Sequence, residues 1–199
     1  MPDLWLPLLV FAVTSTMTPG PNNVMLTASG ATFGFRRTLP HMLGISLGFP
    51  AMVLAVGLGL GGVFVAVPAV HEVLKYAGAA YLLWLSWRIA RAWRKETEGS
   101  AARPMTFLEA ALFQWVNPKA WMIAVGSVAA YTSVEGNVWV EIGFIVVIFL
   151  VVCLPSTMAW AGFGVAIGRL LRSDRLLRVF NVTMALLLVA SIVPIFVQH

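Results

Sequence analysis

Two short motifs, each with proline beside asparagine, hold the residues of this sequence that are best suited to bind a small ligand. The motifs are Thr18-Pro19-Gly20-Pro21-Asn22 and Asn117-Pro118-Lys119. Proline lacks a backbone N–H and its ring clashes with the carbonyl four residues earlier, so a helix must break or kink at each motif. A helix that starts again at such a proline presents unpaired N–H groups and the positive end of its dipole, which attract a carboxylate. We therefore predict an anion-binding point at each motif.

The polar side chains of the motifs leave alternatives open. Lys119 would add positive charge to a carboxylate site, or it could snorkel to the cytoplasmic interface as an anchor. Asn22 and Asn117 could bind the amine of a ligand, cap the start of a helix, or do both. A single proline could be a kink that only shapes packing, but two breaks at corresponding positions favour a binding site.

The chain around the motifs has the composition of a membrane protein. Its 199 residues are 60 % hydrophobic and 11 % charged, whereas soluble domains are about 45–50 % apolar and about 25 % charged. About 20 apolar residues cross a bilayer as a helix, so the chain has room for about six spans and none for an extramembrane domain. Stretches with few charges place these spans at 4–35, 38–70, 76–87, 108–131, 142–168 and 179–197. We predict an all-α integral membrane protein with six transmembrane helices, of which the first and fourth are broken.

The distribution of positive charge predicts which loops lie in the cytoplasm. Eleven of the thirteen Lys and Arg residues follow the first, third and fifth spans, and the other two are Lys75 and Lys119. Because cytoplasmic loops are enriched in Lys and Arg, both termini are predicted on the outer, periplasmic side. The net charge of +5 is then a topology signal, and we expect no nucleic acid partner. The start Met1-Pro2-Asp3 lacks the basic residues of a signal peptide, so the first span should be retained.

The two halves of the chain share landmarks in the same order. They recur at offsets of 97, 105 and 103 residues: Pro21 with Pro118, Pro50 with Pro155, and Gly78 with Asn181. Since each half holds three spans, the second enters the membrane from the opposite face, as in an inverted repeat. We predict one transmembrane domain over 1–199, with a first repeat at 1–93, a cytoplasmic linker at 94–104 and a second repeat at 105–199. Carbonyls freed by proline must be satisfied by protein or water, so all these prolines should face inward.

The other reactive side chains form no catalytic or metal-binding pattern in the sequence. Cys153 is the only cysteine and the three histidines (His41, His71 and His199) are scattered, so we expect no redox pair, metal site or cofactor. We find no nucleophile or acid–base pair in the sequence that would lie deep within the membrane, which argues against an intramembrane enzyme. The eight acidic residues fall in loops or near span ends, and of these only Glu109 could reach inward. A midplane site without a carboxylate favours a zwitterion with an uncharged side chain over a cation.

The motifs, together with three further segments, resemble those of the LysE/RhtB family of amino-acid exporters over nearly the whole chain. The segments are Gly34-Phe-Arg36, Leu43-Gly-Ile-Ser-Leu-Gly48 and Gly78-Ala-Ala-Tyr-Leu-Leu83, and the second motif extends to Asn117-Pro-Lys-Ala120. The resemblance implies a six-helix inner-membrane carrier that exports amino acids or close derivatives and is driven by the proton motive force. It also implies that the residues matching the two motifs are the first to test as the substrate site: Pro19, Gly20, Pro21, Asn22, Asn117, Pro118 and Lys119.

Together these observations predict an exporter of neutral amino acids that works by alternating access around the two broken helices. The helix starts and Lys119 would take the substrate carboxylate, while Asn22, Asn117 and nearby carbonyls would take its amine. The alternatives are an exporter of basic amino acids or other small metabolites, a relative that exports metals or acts in redox chemistry, and an intramembrane enzyme. Gly-x-x-x-Gly patterns at 44–48, 57–61 and 164–168 indicate close helix packing and leave a homodimer interface open.

Overall fold

The chain folds into helices throughout the part that the structure describes. This structure is a computed structural model that describes residues 5–60, 68–92, 103–133, 137–171 and 173–193, without the side chains of 68–71, 74 and 75. The helices are α1 (Trp5–Met17), α2 (Pro21–Phe33), α3 (Phe35–Ala55), α4 (Pro68–Arg91), α5 (Phe107–Phe113), α6 (Pro118–Tyr131), α7 (Val138–Leu170) and α8 (Asp174–Ala190). The all-α prediction is confirmed for these ranges.

The first predicted span is broken at the first motif. Residues 18–20 separate α1 from α2, and Gly20 among them is extended, with φ −177°. Pro21 occupies the first turn of α2, where its missing N–H costs no helical hydrogen bond. Each of the two helices has 13 residues. At 1.5 Å per residue each is about 20 Å long, which is too short for a bilayer core of about 30 Å, so only the pair could cross it.

The fourth predicted span is broken at the second motif. Thr106 and Glu109 start α5 with a capping box, in which each side chain accepts a hydrogen bond from the other residue's backbone N–H. A 3₁₀ turn at Gln114–Val116 follows α5, and Asn117 is extended (φ −87°, ψ 110°) before α6 begins at Pro118. Both predicted breaks are therefore present in the fold.

The other paired prolines lie inside continuous helices. Pro50 is in α3 and Pro155 is in α7. Pro50 is buried, as predicted, whereas Pro155 is exposed, so the expectation that it faces inward is wrong. The buried neighbours of Pro155 are Cys153 and Ser156, and a period of 3.6 residues per turn directs the side chain between them away from the interior.

The boundary between the second and third predicted spans also differs. The sequence predicts a span to residue 70 and a turn at 68–72, but α4 already begins at Pro68, a residue that favours the first turn of a helix. α3 ends at Ala55, and a distorted turn follows at Val56–Leu60, where Gly59 takes φ +105°. Residues 94–102 of the predicted linker and 194–197 of the predicted sixth span lie outside the described residues.

Small residues let the helices approach closely. A Cβ on Gly164 of α7 would lie 2.1 Å from the Thr27 carbonyl oxygen of α2, and a Cβ on Gly44 of α3 would lie 2.3 Å from the Phe107 carbonyl oxygen of α5. The predicted packing role of these glycines is confirmed within the chain. α7 thereby packs along both α2 and α3.

Two helices are long and apolar enough to cross a membrane on their own. They are α3 with its distorted last turn, Phe35–Leu60, and α7, Val138–Leu170. This count applies to the described residues only, and it reflects the breaks, since α1, α2, α5 and α6 each contain fewer than 18 residues.

Candidate functional site

The two breaks meet in the interior through a pair of amide side chains. Asn22 Nδ2 donates to Gln114 Oε1 at 2.8 Å, and Gln114 Nε2 donates to Asn22 Oδ1 at 3.2 Å. Gln114 is fully buried and also donates to the Ala110 carbonyl at 2.9 Å. The pair joins the first turn of α2 to the 3₁₀ turn before α6, so each break positions the other.

Asn23 satisfies the carbonyls at the end of α1. Its Nδ2 donates to the Thr16 and Thr18 carbonyl oxygens, both at 2.8 Å. Ser156 of α7 donates to the same Thr16 carbonyl at 3.1 Å. These are the kind of carbonyls that a broken helix leaves without N–H partners, and buried backbone oxygens of this kind must find other donors.

Lys119 reaches from the second break to the first. Its Nζ donates to the Thr18 carbonyl and lies 3.4 Å from the Pro19 carbonyl oxygen. A Cβ on Gly20 would lie 2.7 Å from Lys119 Cδ, so the glycine makes room for the lysine side chain. The ammonium therefore sits at the negative, C-terminal end of α1, where a cation is stabilised. Of the two orientations that the sequence left open for Lys119, the structure has the one that faces the breaks.

A cavity of about 50 Å³ lies between the breaks. Its lining is Ser15, Thr16, Gly20, Asn22, Asn23, Ile45, Phe49, Asn117, Lys119, Ala120, Ile123, Cys153, Ser156 and Thr157. We call this space the central cavity. Among the described residues, Lys119 is the one charged residue of this lining, which therefore offers a positive charge and several neutral donors and acceptors.

Glu109 does not reach the central cavity. Its carboxylate makes a bidentate pair with Arg103, with distances of 2.6 and 2.7 Å to the guanidinium nitrogens, at the start of α5. Hydrogen bonding to this carboxylate raises the pKa of Arg103 above its usual range. The one acid that could have favoured a cationic substrate is thus engaged elsewhere.

The predicted site residues play different parts. Gly20, Asn22, Asn117 and Lys119 line the central cavity. Thr18 and Pro19 are exposed and contribute carbonyl oxygens rather than side chains, and the Thr18 hydroxyl donates back to Thr14. Pro21 and Pro118 start α2 and α6.

The two asparagines differ in how they are used. Asn117 Oδ1 accepts from the Lys119 backbone N–H at 3.2 Å, so this residue is a helix cap, as one of the open alternatives held. Asn22 is no cap, because Gly20 occupies that position. Each amide oxygen already accepts one hydrogen bond and has one lone pair left for an amine.

Several residues of the site escaped the sequence reasoning. They are Gln114, Asn23, Ser156, Thr157 and Cys153. Asn23 directly follows the first motif, and Ser156 and Thr157 carry hydroxyls in an otherwise apolar helix. The sequence therefore offered a reason to include these three residues in the site. Nothing in the sequence indicated that Gln114 meets Asn22, because 92 residues separate them.

The comparisons with known proteins agree with this architecture. The LysE type translocator family model matches residues 13–192. Among curated proteins, the cysteine/O-acetylserine efflux proteins of Escherichia coli strain K12 and Shigella sonnei strain Ss046 are each 33 % identical over 187 residues, covering 94 % of this chain and 94 % of each relative. No solved structure gives a significant match. With both motifs inside the matched region, the chain belongs to the LysE type translocator family and is a membrane-embedded transporter.

Proposed function

We propose that this transporter exports small amino acids with uncharged side chains across the bacterial inner membrane. The observation that carries the proposal is the ammonium of Lys119, held by the Thr18 carbonyl across the central cavity. The site therefore already accommodates an ammonium against backbone carbonyls and supplies a positive charge for a carboxylate. Cysteine and O-acetylserine, named for the curated relatives, are small and have uncharged side chains at neutral pH.

Substrate binding would exchange the partners of Lys119. The substrate ammonium replaces Lys119 Nζ at the Thr18 and Pro19 carbonyls, and Lys119 turns to the substrate carboxylate together with the N–H groups that start α2. One ammonium group then lies at these carbonyls before and after binding. Lys119 pairs with the substrate carboxylate, so no charge is left unpaired in the low-dielectric interior. A substrate with a second positive charge has no partner in this cavity, whose lining contains no acid.

Alternating access would arise from two inverted three-span halves, 1–93 and 105–199, joined by a cytoplasmic segment at 94–104. The packing supports this arrangement, because corresponding elements are exchanged: α1 packs against α7 of the second half and α5 against α3 of the first. The central cavity lies where these halves meet, and rocking of one half against the other would open it to each side in turn. The distribution of Lys and Arg supports periplasmic termini.

The resemblance and the glycine patterns raise two further features, proton coupling and a homodimer. We include coupling to a proton gradient in the proposal, as the basis of net export. We do not extend it to a homodimer, because Gly44 and Gly164 of the candidate interface patterns make their close contacts within the chain.

The test is counterflow in proteoliposomes loaded with unlabelled substrate. We expect labelled serine, cysteine under reducing conditions, and O-acetylserine to exchange, lysine to exchange at least tenfold more slowly, and serinamide, which lacks the carboxylate, not to exchange. Faster exchange of lysine that disappears in Glu109→Gln would overturn the neutral assignment. Absence of exchange for every amino acid tested would overturn the proposal as a whole.

A further inference from the structure

His41 is buried without a hydrogen-bond partner. Its side chain, on α3, is 1 % exposed, and neither Nδ1 nor Nε2 has a partner among the described residues. Buried polar groups in proteins are nearly always hydrogen-bonded, since an unpaired one costs free energy. An exception inside a transporter therefore calls for a functional reason.

The imidazole lines a second cavity, of about 60 Å³, that is separate from the central one. Ser29 and Thr32 of α2 also line it, but their hydroxyls are already paired, with Thr38 at 3.0 Å and with Asn181 at 3.1 Å. Among the described residues, His41 is thus the uncharged polar group of this lining that makes no hydrogen bond. The lining is mostly apolar, but it includes the imidazole, two hydroxyls and two guanidinium groups, and a cavity of this size has room for water beside them.

The second cavity lies next to the central cavity along α3. Ile45 lines the central cavity and His41 lines the second one, four residues earlier. Four residues of helix correspond to one turn and about 6 Å. A charge that appears on His41 is therefore close enough to be felt by a substrate in the central cavity.

Charged side chains lie along one side of the second cavity. Arg88 of α4 and Arg103 line it, and α5 contributes Glu109, which interacts electrostatically with His41. Glu109 pairs with Arg103, and Arg88 lies over the Trp84 ring with 4.8 Å between its Cζ and the ring centroid. One carboxylate, Glu109, and two guanidinium groups, those of Arg88 and Arg103, therefore lie on this side of the imidazole.

The other elements packed on α3 place no charged side chain at His41. α2 has no ionisable residue. Lys119 of α6 and Cys153 of α7 face the central cavity. At the start of α7, the Glu141 carboxylate accepts hydrogen bonds from the backbone N–H and the hydroxyl of Ser133. Arg169, at the end of α7, is exposed. Arg36 and Arg37 of α3 itself are also exposed.

We propose that His41 binds the proton that couples the pH gradient to substrate export. The inference rests on the proposed function. One ring nitrogen takes up a proton through the second cavity in one access state and releases the same proton on the opposite side in the other state, while the substrate moves the other way. Histidine suits this role because its ring nitrogen can bind and release a proton, whereas the arginines that line the same cavity stay protonated. A charge on His41 would shift the balance between the two access states.

The decisive variant is His41→Gln, which keeps a polar side chain that cannot titrate. Counterflow at equal pH on both sides moves no net proton, so the variant should exchange substrate within about twofold of the wild-type rate, whereas accumulation driven by a pH gradient should fall at least tenfold. Two controls should keep gradient-driven transport: Ser29→Ala, which alters the same cavity, and His71→Gln/His199→Gln, which removes the other histidines. Gradient-driven transport that survives in His41→Gln, or that is lost equally in Ser29→Ala, overturns the assignment.

A second measurement covers the case in which His41→Gln fails to fold. In the His71→Gln/His199→Gln protein, ¹⁵N-labelled histidine gives the NMR signal of one imidazole, and we expect it to titrate and to shift on addition of serine. An imidazole that stays neutral from about pH 5 to 8 contradicts the proposal.

These measurements distinguish failure of the proposed export function from failure of the proton-binding role of His41. If the wild-type protein exchanges no amino acid, the proposed function fails. If it exchanges amino acids but shows no response to a pH gradient, the proton coupling of the proposed function and the role of His41 both fail. If the gradient response survives in His41→Gln, only the proton-binding role of His41 fails.

Discussion

Asn22 and Gln114, 92 residues apart, exchange two amide hydrogen bonds between the first and second helix breaks. Asn22 lies in the first turn of α2, and Gln114 lies in the 3₁₀ turn before α6. The pair therefore couples the position of one break to that of the other.

Removal of Asn22 tests this coupling. We expect Asn22→Ala to lower the free energy of unfolding by about 1–3 kcal/mol, because the fully buried Gln114 amide loses a partner. Counterflow should also fall strongly. The double variant Asn22→Ala/Gln114→Ala should be less destabilised than the sum of the single variants, as measured by thermal unfolding in detergent. Additive losses would mean that the two amides act independently.

The lysine that bridges the breaks should be essential for exchange. Lys119→Met removes the positive charge available to the substrate carboxylate, and losing such a charge-assisted hydrogen bond costs about 1.5–3 kcal/mol, or more than tenfold in affinity. The measurement is the concentration dependence of serine counterflow. If Lys119→Met exchanges serine with wild-type affinity, the carboxylate binds elsewhere.

The space at Gly20 offers an independent test of the same contact. A Cβ at Gly20 would lie 2.7 Å from Lys119 Cδ, whereas a Cβ at Gly126, on the same helix as Lys119, meets nothing within 4 Å. We expect Gly20→Ala to displace the lysine side chain and slow counterflow several-fold, and Gly126→Ala to behave as wild type. Equal rates in both variants would show that the close approach is unimportant.

Cys153 provides a built-in probe of the central cavity. It is the only cysteine, it is 3 % exposed and it lines the cavity. Slow alkylation by N-ethylmaleimide should become slower still with saturating serine, and this protection should disappear in Lys119→Met. Cys153→Ser is the control for background labelling, and protection by lysine as strong as that by serine would contradict the neutral substrate assignment.

The topology can be checked with reporters at Gly99 and Gly136, which lie outside the described residues. Eleven of the thirteen basic residues follow the first, third and fifth predicted spans, so a fusion after Gly99 should be active in the cytoplasm and one after Gly136 in the periplasm. The reverse pattern would contradict both the orientation and the inverted repeat.

The sequence alone determined the features that depend on local chemistry. Pro21 and Pro118 predict where helices restart, because a missing N–H and a fixed φ act within one turn. Gly44 and Gly164 predict close packing for a similarly local reason, since only glycine lets two backbones approach so closely. The apolar composition excluded a soluble domain without any knowledge of contacts.

Only the tertiary structure decided which of these residues meet. The side chain of Lys119 could extend to the membrane interface or to the Thr18 carbonyl, and the choice depends on how two segments 101 residues apart pack. In the same way, Pro155 faces outward because Cys153 and Ser156 take the inner face of α7. The unpaired state of His41 is likewise a property of its surroundings, because a hydrogen bond exists or not according to what the fold brings within reach.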